Sequence, residues 1–512
     1  MCGIAAVRSA TGTGAAWLHT VLAQIEHRGL AGTRYETAPQ DASGWTLGTH
    51  RLPIVAPAVA RQPAWSPARR YLVAFNGEVF NHPELAGVLG ARGSTPNVPA
   101  SDTSVLAAAI EHWGPVAAVG HLVWEGAFLC LDTTTGELWA GRDHLGIKPL
   151  YRAEFANGTA FASEVKALVG LPGCTRVAPV APGTVQTNNA TVGLVAEHTW
   201  WSPGHSPGPA DPGPTDPDAA ATEVLDLLRR SVHLRVPREG RYAIALSGGL
   251  DSSLILRLAV ETGRVPDAYV LHGPGSTDLP YARNLCERLG VPLVEVPADS
   301  AAGLRGALPN TIRSLETWEW HVVNHAAPMD RLAAAIHADG HRVALSGEGA
   351  DELFLGYDRT SSADAPEVEQ RRRTTGLHRT NCRRLDRMGM AHQVEFRVPF
   401  LDRALTDRAL SLHSGLLVRD GVSKPILRRA AAEVLPADFV QRGKLSLARG
   451  VGYDYAPGDH PTVFGSLDQA AALATLPATF GTLARYPAER VFLRHFLDNS
   501  YDKADYLLER TV

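Results

Sequence analysis

The chain has 512 residues, of which 45% are hydrophobic and 20% are charged, a composition typical of a soluble globular protein. At roughly 100–200 residues per domain, this length predicts two to four domains, each able to bury a core of its own. The formal net charge is −4, which gives no electrostatic reason to expect binding to nucleic acid or to an anionic membrane.

The cysteines and the start of the chain bear on the compartment. The first residues lack a basic segment leading into an apolar stretch, so no signal peptide is expected. No window approaches the ~20 apolar residues of a membrane span. The cysteines are scattered and form no CxxC pair, so neither a zinc site nor a disulfide framework is expected. The predicted compartment is therefore the reducing cytoplasm.

Residues 1–201 contain short β-like runs separated by turns, such as "YLVAFNGEVF", "GAFLCLD" and "TAFAS", with fewer helical patterns. This pattern of short strand-like runs, turns and few helices predicts an α+β domain with mostly antiparallel sheets. The next stretch, 202–218, reads "SPGHSPGPADPGPTDPD". It is so rich in proline and glycine that it predicts an exposed linker between two domains.

In residues 219–512, strand-like runs alternate with helical ones. "RYAIALS" is followed by "DSSLILRLAVETG", and "DAYVLHG" by "LPYARNLCERLG". That alternation predicts an α/β domain in which helices cover a parallel sheet. From about residue 365 onward the pattern is mainly helical.

The chain begins "MCGIAAV", which places a cysteine second. A cysteine is a nucleophile only as its thiolate or with a base nearby. Once Met1 is removed, the free α-amine of Cys2 can be that base, because its pKa is roughly 7.7–8.0. Taken alone, Cys2 is better explained as an incidental cysteine at a chain start than as a nucleophile.

Cys2 is accompanied by other motifs: "HRG" (27–29), "HRLPIV" (50–55), "FNGEVFNHPEL" (75–85), "SDTSVL" (101–106) and "GRDHLGIKPLYR" (141–152). In this order and spacing, they resemble the glutaminase domain of class II glutamine amidotransferases, and most closely the asparagine synthetase type. The resemblance covers roughly residues 1–200 and implies an αββα sandwich of the Ntn-hydrolase class.

The resemblance implies a role for each residue that matches its motifs. Cys2 would attack the carboxamide of glutamine. Asn76 and Gly77 would form the oxyanion hole, through a side-chain amide and a backbone N–H. Arg51 would pair with the α-carboxylate of glutamine, since its planar guanidinium donates two parallel hydrogen bonds.

Further residues would complete the glutamine pocket. Glu78 and Asp102 would hold the α-ammonium of glutamine, and Ile54 and Val55 would line the binding site. One departure from the family lies in "HRGLAGTRYE", where the family usually continues "HRG" with Pro-Asp. The local shape of that loop is therefore open, although no catalytic residue is lost.

The stretch "ALSGGLDSS" (245–253) lies where an apolar strand runs into a helix. Glycines there allow close backbone approach, and a helix N-terminus offers N–H groups to phosphate. The stretch lacks the Walker A pattern. It resembles instead the SGGxDS pyrophosphate loop (PP-loop) of ATP pyrophosphatases, which cleave ATP to AMP and pyrophosphate.

A second stretch, "LSGEGADELFLGY" (345–357), gathers carboxylates around a glycine-rich turn. Carboxylates near a phosphate loop suit magnesium binding or proton transfer, although an acidic helix start is the alternative for Glu352. With "VEFRVPFLD", "KPILRRA" and "RGKLSLARGVGY", these motifs resemble the synthetase domain of glutamine-hydrolysing asparagine synthetases and their relatives, including β-lactam synthetases.

That resemblance implies a two-step reaction with ATP and Mg²⁺. A substrate carboxylate attacks the α-phosphate of ATP, and ammonia from the glutaminase site crosses an internal tunnel and displaces AMP. Asp251 and Asp351 would bind Mg²⁺, Lys444 would stabilise charge on the phosphates, and Glu348 would deprotonate the attacking amine. The other residues implied at the nucleotide are Leu246, Ser247, Gly248, Gly249, Ser252, Val270, Ser346 and Gly347.

The expected acceptor pocket departs from the family. Where asparagine synthetases carry threonines and an arginine that hold aspartate, this chain reads "LETWEWHVVNHAAPM" (315–329). The threonine positions fall on His321 and Val322, and the arginine position falls on Asn324. Losing a bidentate arginine removes the natural partner of the aspartate α-carboxylate. We therefore expect a carboxylic acid other than aspartate, with compensation by another arginine or a shifted alignment as alternatives.

The motifs together predict a glutamine-dependent, ATP-consuming amide synthetase. Two alternatives remain open at this stage: an intramolecular ligase of the β-lactam synthetase kind, and a catalytically silent scaffold. The glutaminase residues argue against the first, and the phosphate loop with its carboxylates argues against the second. Members of the family often form dimers, so a homodimer is expected by analogy.

Overall fold

The computed structural model describes residues 1–9, 14–30, 33–37, 44–93, 101–155, 158–189, 193–204, 216–357, 365–419, 421–452 and 487–501, with the isolated positions 476, 480, 483 and 484. The chain forms two compact units: Met1–Ser202 with Leu493–Val512, and Pro203–Phe492. Most of the predicted linker, residues 205–215, lies outside the described residues.

The first unit is built mainly from strands. They are β1 (Cys2–Ser9), β2 (Thr33–Thr37), β3 (Trp45–Arg51), β4 (Ala64–Trp65), β5 (Tyr71–Val79), β6 (Trp124–Asp132), β7 (Leu138–Arg142), β8 (Tyr151–Phe155), β9 (Gly158–Ala162), β10 (Cys174–Pro179), β11 (Thr184–Asn189) and β12 (Gly193–Thr199). The described strands form two six-stranded sheets, in the orders β10-β8-β9-β1-β3-β2 and β12-β11-β7-β6-β5-β4. Neighbouring strands in both sheets run antiparallel.

Helices cover the outer faces of these sheets. They are α1 (Gly14–Ala23), α2 (His82–Ala91), α3 (Asp102–Trp113), α4 (Pro115–Ala118) and α5 (Lys166–Val169), with 3-10 turns at Glu26–Arg28 and Val119–His121. Helix α1 packs on β1 and β3, and α3 packs on β5. Together with the contacts between β1 and β5, this gives four layers, αββα.

Strand β5 shows why the layers form. Its alternate residues Tyr71, Val73 and Phe75 belong to the apolar core that includes α2 and α3. The intervening Leu72 and Ala74 belong to a second core shared with β1 and β3 of the other sheet. Successive side chains of a strand point to opposite faces, so the first part of β5, residues 71–75, which packs into both cores, is a continuous apolar run.

The second unit contains a parallel sheet. Its strands are β13 (Ala243–Ala245), β14 (Asp267–His272), β15 (Leu293–Pro297), β16 (Val343–Leu345) and β17 (Glu395–Arg397), in the order β15-β14-β13-β16-β17. All of these pairings are parallel. A short hairpin, β18 (Val418–Arg419) with β19 (Val422–Ser423), follows.

The remaining described elements are helical. They are α6 (Pro217–Arg235), α7 (Leu250–Glu261), α8 (Asp278–Leu289), α9 (Ala301–Leu315), α10 (Trp320–Ala338), α11 (Ala350–Leu353), α12 (Pro366–Gly376), α13 (Asn381–Ala391), α14 (Arg403–Ser411), α15 (Ser414–Leu417), α16 (Pro425–Ala431), α17 (Ala437–Gln441), α18 (Leu447–Val451) and α19 (Pro487–Asp498), with 3-10 turns at Leu377–Arg379 and Pro399–Leu401. None of the helices in the described ranges is long and apolar enough to cross a membrane.

The predicted fold class is confirmed: an αββα sandwich is followed by an α/β parallel sheet with a helical C-terminal part. The strand order of the parallel sheet also locates a site. Strand β13 lies between β14 on one side and β16 on the other. In open α/β sheets, ligands bind at the carboxyl ends of the strands where the order reverses. The loops that leave β13 and β16 are therefore expected to border a ligand site.

Candidate functional site

The first candidate site lies at the start of β1. The side chain of Cys2 is buried and belongs to the core between the two sheets. Burial raises the pKa of the Cys2 thiol above its usual range, with a smaller contribution from Asp102. The α-amine of Met1, the backbone N–H of Leu52 and Arg51 act in the opposite direction. Register pairs Cys2 with Arg51 on β3. The antiparallel pairing thus brings together two predicted site residues 49 positions apart in the sequence.

Asn76, on β5, supplies the second part of this site. The backbone N–H of Cys2 donates to Asn76 Oδ1 at 3.1 Å. The Nδ2 of the same amide is buried and has no hydrogen-bond partner among the residues that the structure describes. A buried donor without a partner costs free energy, so its survival beside a candidate nucleophile indicates a ligand atom that it serves. An oxyanion is the ligand that such a donor fits.

Gly77 follows Asn76 and faces β6, where it pairs with Gly126. A Cβ atom at Gly77 would lie 2.1 Å from the carbonyl oxygen of Glu125 and 2.5 Å from the Cα of Gly126. Only glycine permits this approach of the two strands. The backbone next to Asn76 is therefore held in one position by the sheet.

Arg51 organises the loop that carries two predicted glutamine contacts. Its guanidinium donates to the carbonyl oxygens of Val55 at 3.0 Å and Pro57 at 3.1 Å. Arg51, Ile54 and Val55 are half-buried, so this loop forms a partly open rim.

Two carboxylates complete the predicted set. Glu78 lies near the end of β5 and Asp102 in the first turn of α3, and both are buried. The N-terminus of α3 is fixed by a capping box, in which Ser101 and Ser104 exchange hydrogen bonds. The roles in binding glutamine stay predictions for the whole set, which is Arg51, Ile54, Val55, Asn76, Glu78 and Asp102.

The structure adds two neighbours of Cys2 that the sequence interpretation did not single out. Arg28 donates from Nε to the carbonyl oxygen of Cys2 at 3.2 Å and from Nη1 to Glu164 at 2.6 Å, and both side chains are fully buried. Arg28 belongs to the "HRG" motif (27–29), so the sequence offered a signal by which it could have been included in the site. Gln62 donates from Nε2 towards Cys2 Sγ at 3.5 Å. It stands outside every motif, and no sequence pattern pointed to it.

The second candidate site lies at the carboxyl ends of β13 and β16. After β13, Ser247–Gly249 turn tightly into α7, and Ser247 and Ser252 join their hydroxyls at 3.1 Å. Gly248 has φ 65°, a left-handed conformation that favours glycine, and a Cβ there would lie 2.6 Å from the Cβ of Tyr281. The turn presents the N-terminus of α7 to the space above the sheet, where phosphate would gain from its N–H groups.

The loop after β16 packs against this turn. A Cβ at Gly347 would lie 2.9 Å from the backbone nitrogen of Ser252, so glycine is needed for the approach. Beyond it, Glu348 forms an ion pair with Arg384 of α13. Arg384 is a neighbour that the sequence interpretation did not include, and it engages the carboxylate predicted to act as the base.

Two lysines join the predicted magnesium ligands. Lys424 Nζ lies 2.6 Å from Asp251 Oδ2 and 2.5 Å from Asp351 Oδ1, and Lys444 Nζ lies 2.5 Å from Asp351 Oδ2. Burial alone would raise the pKa of Asp351, but Lys424 and Lys444 outweigh it and hold that pKa below the usual range. Burial alone would lower the pKa of Lys444, but the two aspartates raise it.

These loops border one cavity in the second unit. Of the residues predicted to contact ATP or to act in the synthetase reaction, those lining it are Leu246, Ser247, Gly249, Asp251, Ser252, Ser346, Gly347, Glu348, Asp351 and Lys444. Gly248 and Val270 are not among the lining residues, whereas Tyr269 and Leu271 are. Lys424, Arg428 and Arg442 also line the cavity, which gives it the cations that a polyphosphate needs.

The predicted acceptor residues all lie in the first turns of α10. Val322 and Asn324 are buried, His321 is half-buried, and none of the three lines the cavity; Met329 and Leu332 of the same helix do. Their contact with an acceptor stays a prediction.

His325 is a further residue of this segment. Its Nδ1 lies 2.8 Å from the carbonyl oxygen of His321. Burial, together with the positive charge of Arg384, lowers the pKa of His325 to about 3. The imidazole is therefore neutral at pH 7 and cannot replace the arginine expected in this segment.

Comparisons with known proteins agree with this arrangement. A family model described as a glutamine amidotransferase domain matches residues 1–186, and one described as asparagine synthase matches residues 223–366 and 359–504. The glutamine-hydrolyzing asparagine synthetase B of Escherichia coli (strain K12) is 30% identical over 436 residues, covering 80% of this chain and 75% of that protein. A probable glutamine-hydrolyzing asparagine synthetase of Schizosaccharomyces pombe is 30% identical over 495 residues, covering 89% and 86%.

Among solved structures, a glutamine phosphoribosylpyrophosphate amidotransferase from B. subtilis is 18% identical, with a TM-score of 0.33, over 57% of this chain and 65% of that one. The family matches define a glutamine amidotransferase joined to a ligase that forms a C–N bond. The chain belongs to the family of glutamine-hydrolysing asparagine synthetases, whose members use ATP.

Proposed function

We propose that this protein hydrolyses glutamine at Cys2 and uses the ammonia to amidate a carboxylic acid that ATP has activated as an acyl-adenylate. The observation that carries the proposal is the Asn76 amide. Its Oδ1 accepts from the Cys2 N–H at 3.1 Å, and its buried Nδ2 has no partner within the described part of the chain. A folded domain keeps such a donor where a developing negative charge will meet it.

In the glutaminase step, the α-amine of Cys2, exposed once Met1 is removed, takes the thiol proton. The sulfur then attacks the carboxamide carbon of glutamine, and the carbonyl oxygen becomes an oxyanion between Asn76 Nδ2 and the Gly77 N–H. The protonated amine returns its proton to the leaving nitrogen, and ammonia departs. Water hydrolyses the γ-glutamyl thioester and releases glutamate.

In the synthetase step, an oxygen of the acceptor carboxylate bonds to the α-phosphorus of ATP, and pyrophosphate leaves. Ammonia, supplied from the glutaminase site through an internal tunnel, attacks the acyl carbon, and the C–O bond to AMP breaks. Glu348 takes the proton that the new amide nitrogen loses. Lys444 pairs with the negative charge that builds up on the departing phosphates.

A magnesium ion fits the two aspartates. The carboxylates of Asp251 and Asp351 converge on a single positively charged atom, Lys424 Nζ. Mg²⁺ is commonly bound by one or two carboxylates together with substrate phosphates, so two converging carboxylates are a suitable set. When bound, the ion would neutralise the phosphates of ATP, and Lys424 would have to give up its place between the carboxylates.

The proposed acceptor is a carboxylic acid other than aspartate. A second carboxylate calls for a charge-assisted partner, normally a bidentate arginine. At the position expected for it stands Asn324, a neutral amide, and Val322 replaces a hydroxyl. The neighbouring His325 is also neutral at pH 7, because its pKa is lowered to about 3. A specialised metabolite without an α-amino-acid group fits this neutral segment better than aspartate.

One experiment tests the reaction and the acceptor together. Purified protein is given ATP, Mg²⁺, either glutamine or ammonium chloride, and a panel of carboxylic acids that includes aspartate, and AMP is measured. Cys2→Ala should abolish product formed with glutamine but not with ammonia. Cys174→Ala, which alters another buried cysteine of the first unit, is the matched control and should behave as the wild type.

Each outcome of this experiment has a defined meaning. Rapid formation of asparagine and AMP from aspartate would overturn the proposed acceptor and leave the reaction type standing. Product formed without glutamine or ammonia would indicate the intramolecular ligase. Absence of turnover with every acid and both nitrogen donors would indicate a silent scaffold.

All five cysteines are free, which suits the proposed cytoplasmic location. A homodimer, proposed by analogy, is testable by light scattering.

A further inference from the structure

We infer that Gln62 is a catalytic residue of the glutaminase reaction, which holds the Cys2 sulfur in place and stabilises its thiolate through an N–H···S hydrogen bond. The inference rests on the proposed role of Cys2 as the nucleophile. It concerns a residue in the segment between β3 and β4 that no motif of the sequence includes.

The surroundings of Gln62 fix the orientation of its side-chain amide. The backbone N–H of Phe75 points at Gln62 Oε1 at 2.9 Å, and a backbone N–H can only donate. The oxygen must therefore face Phe75, and the NH₂ group must face the other way. Thr49 Oγ1 also donates to the backbone carbonyl of Gln62 at 3.1 Å, so β3 and β5 anchor this residue from two sides.

The NH₂ group of Gln62 has two hydrogens and two acceptors. One hydrogen bond runs to Thr103 Oγ1 at 3.0 Å, and the other runs to Cys2 Sγ at 3.5 Å. The 3.5 Å distance is an ordinary one for a bond to the larger sulfur atom. Gln62 is buried, so water does not compete for these donors. Both N–H groups of the amide thus have an acceptor, and one of these acceptors is the Cys2 sulfur.

The environment of Cys2 explains why such a donor matters. Burial raises the pKa of the thiol, and the carboxylate of Asp102 acts in the same direction. The thiolate is favoured by the α-amine of Met1, by the backbone N–H of Leu52 and by Arg51, while Arg28 binds the Cys2 carbonyl oxygen. The Gln62 amide adds a neutral donor aimed directly at the sulfur, which strengthens as negative charge forms there.

A hydrogen-bond network also links this donor to the predicted glutamine pocket. Thr103, which accepts from Gln62, donates to Asp102 Oδ1 at 3.4 Å. Gln62 therefore lies between the nucleophile and a carboxylate expected to bind the α-ammonium of glutamine. A substrate that engages Asp102 would act, through Thr103, on the amide that positions the sulfur.

The test measures the reactivity of Cys2 directly. Protein processed to begin at Cys2 is treated with iodoacetamide between pH 6 and pH 10, and alkylation of the N-terminal peptide is followed by mass spectrometry. Gln62→Met keeps the length of the side chain and removes both donors. Losing a donor to an anion should move the midpoint of the pH profile upward by about one to two pH units. At pH 7 this is about a tenfold or greater loss of alkylation rate.

Two further variants keep the test decisive. Gln186→Met changes another buried glutamine of the first unit, one that donates to Glu197, and should leave the profile unchanged. Gln62→Glu keeps an oxygen for the Phe75 N–H but places a carboxylate beside the sulfur, so its midpoint should lie above that of Gln62→Met. If Gln62→Met does not fold, the pH midpoint of Gln62→Glu is compared with that of the wild type instead.

The possible results separate the inference from the function on which it rests. If wild-type Cys2 is alkylated but the glutamine is not hydrolysed, the proposed function fails. If the wild type hydrolyses glutamine and both Gln62 variants keep the wild-type pH midpoint, Gln62 has only a structural role and the inference is overturned. A fall in thermal stability with an unchanged midpoint counts as the same refutation.

Discussion

Replacing Lys424 by methionine should loosen the phosphate-binding turn of the second unit. The Lys424 side chain is 3% exposed and contacts Asp251 and Asp351 at 2.5–2.6 Å. Removing one member of a buried ion pair leaves uncompensated charge and costs about 3–5 kcal/mol. The lower end of that range applies here for two reasons. Lys444 still pairs with Asp351, and the side chains of Asp251 and Asp351 are 14% and 11% exposed, respectively. We therefore expect a loss of about 3 kcal/mol.

Hydrogen exchange read by mass spectrometry can measure this loss locally. A change of about 3 kcal/mol corresponds to roughly a hundredfold fall in protection, since every 1.4 kcal/mol is tenfold. It should appear in peptides that cover α7 and α11. Added Mg²⁺ should restore more protection in Lys424→Met than in the wild type, because the ion can occupy the place between the carboxylates that the lysine has left.

Lys444→Met is the matched comparison. Its side chain is 35% exposed, so its ion pair with Asp351 is screened by water and should be worth roughly 1 kcal/mol or less. Equal protection in Lys424→Met and the wild type would refute the reasoning. So would an equal effect of Mg²⁺ on both proteins, since that would mean that lysine and metal do not compete for the two aspartates.

The remaining predictions concern both sites. Asn76→Ala should lower the glutaminase kcat by about 10²–10³-fold, measured as glutamate release, while ammonia-dependent AMP formation stays at the wild-type rate; equal losses in both assays would contradict this. His325 has a folded-state pKa of about 3, below its unfolded value of 6.5, so the unfolded chain binds the extra proton and wild-type stability should fall as the pH drops from about 6.5 towards 3. Urea midpoints of His325→Gln should fall less over that range, and parallel curves would refute the assignment. Asn324→Arg should favour aspartate over other acids, read as relative kcat/KM; an unchanged ratio would remove Asn324 from the acceptor pocket.

Much of this architecture could be predicted from local patterns. The glycine-rich turn in "SGGLDSS" follows a short apolar strand and precedes an apolar helix, and these local signals fixed the phosphate loop. The pairing of Cys2 with Arg51 was not local, but both residues lay in recognisable motifs. Val270 was predicted to contact the nucleotide but does not line the cavity. Its neighbours Tyr269 and Leu271 in β14 do, because successive side chains of a strand point to opposite faces.

Other parts could not be predicted because they depend on long-range packing. Gln62 meets Cys2 only because the segment before β4 folds back over β1, and no spacing in the sequence encodes that contact. Lys424 contacts Asp251, which lies 173 positions earlier in the sequence. Lys424 itself has a left-handed backbone conformation and stands just before α16. The ion pair between Glu348 and Arg384 likewise depends on how α13 packs beside the loop after β16.

The burial of the first residue restricts when the proposed nucleophile, Cys2, can be exposed as the N-terminal residue. Met1 is 3% exposed, and its carbonyl oxygen accepts from the Leu52 N–H at 3.0 Å. An aminopeptidase needs an extended, accessible terminus, which the folded first unit does not offer. If Cys2 acts as the proposed nucleophile, Met1 would therefore have to be removed before β1 pairs with β3, while the chain is still being synthesised or has not yet folded. On the same proposal, protein that folds with Met1 still in place would remain in a form that cannot use glutamine.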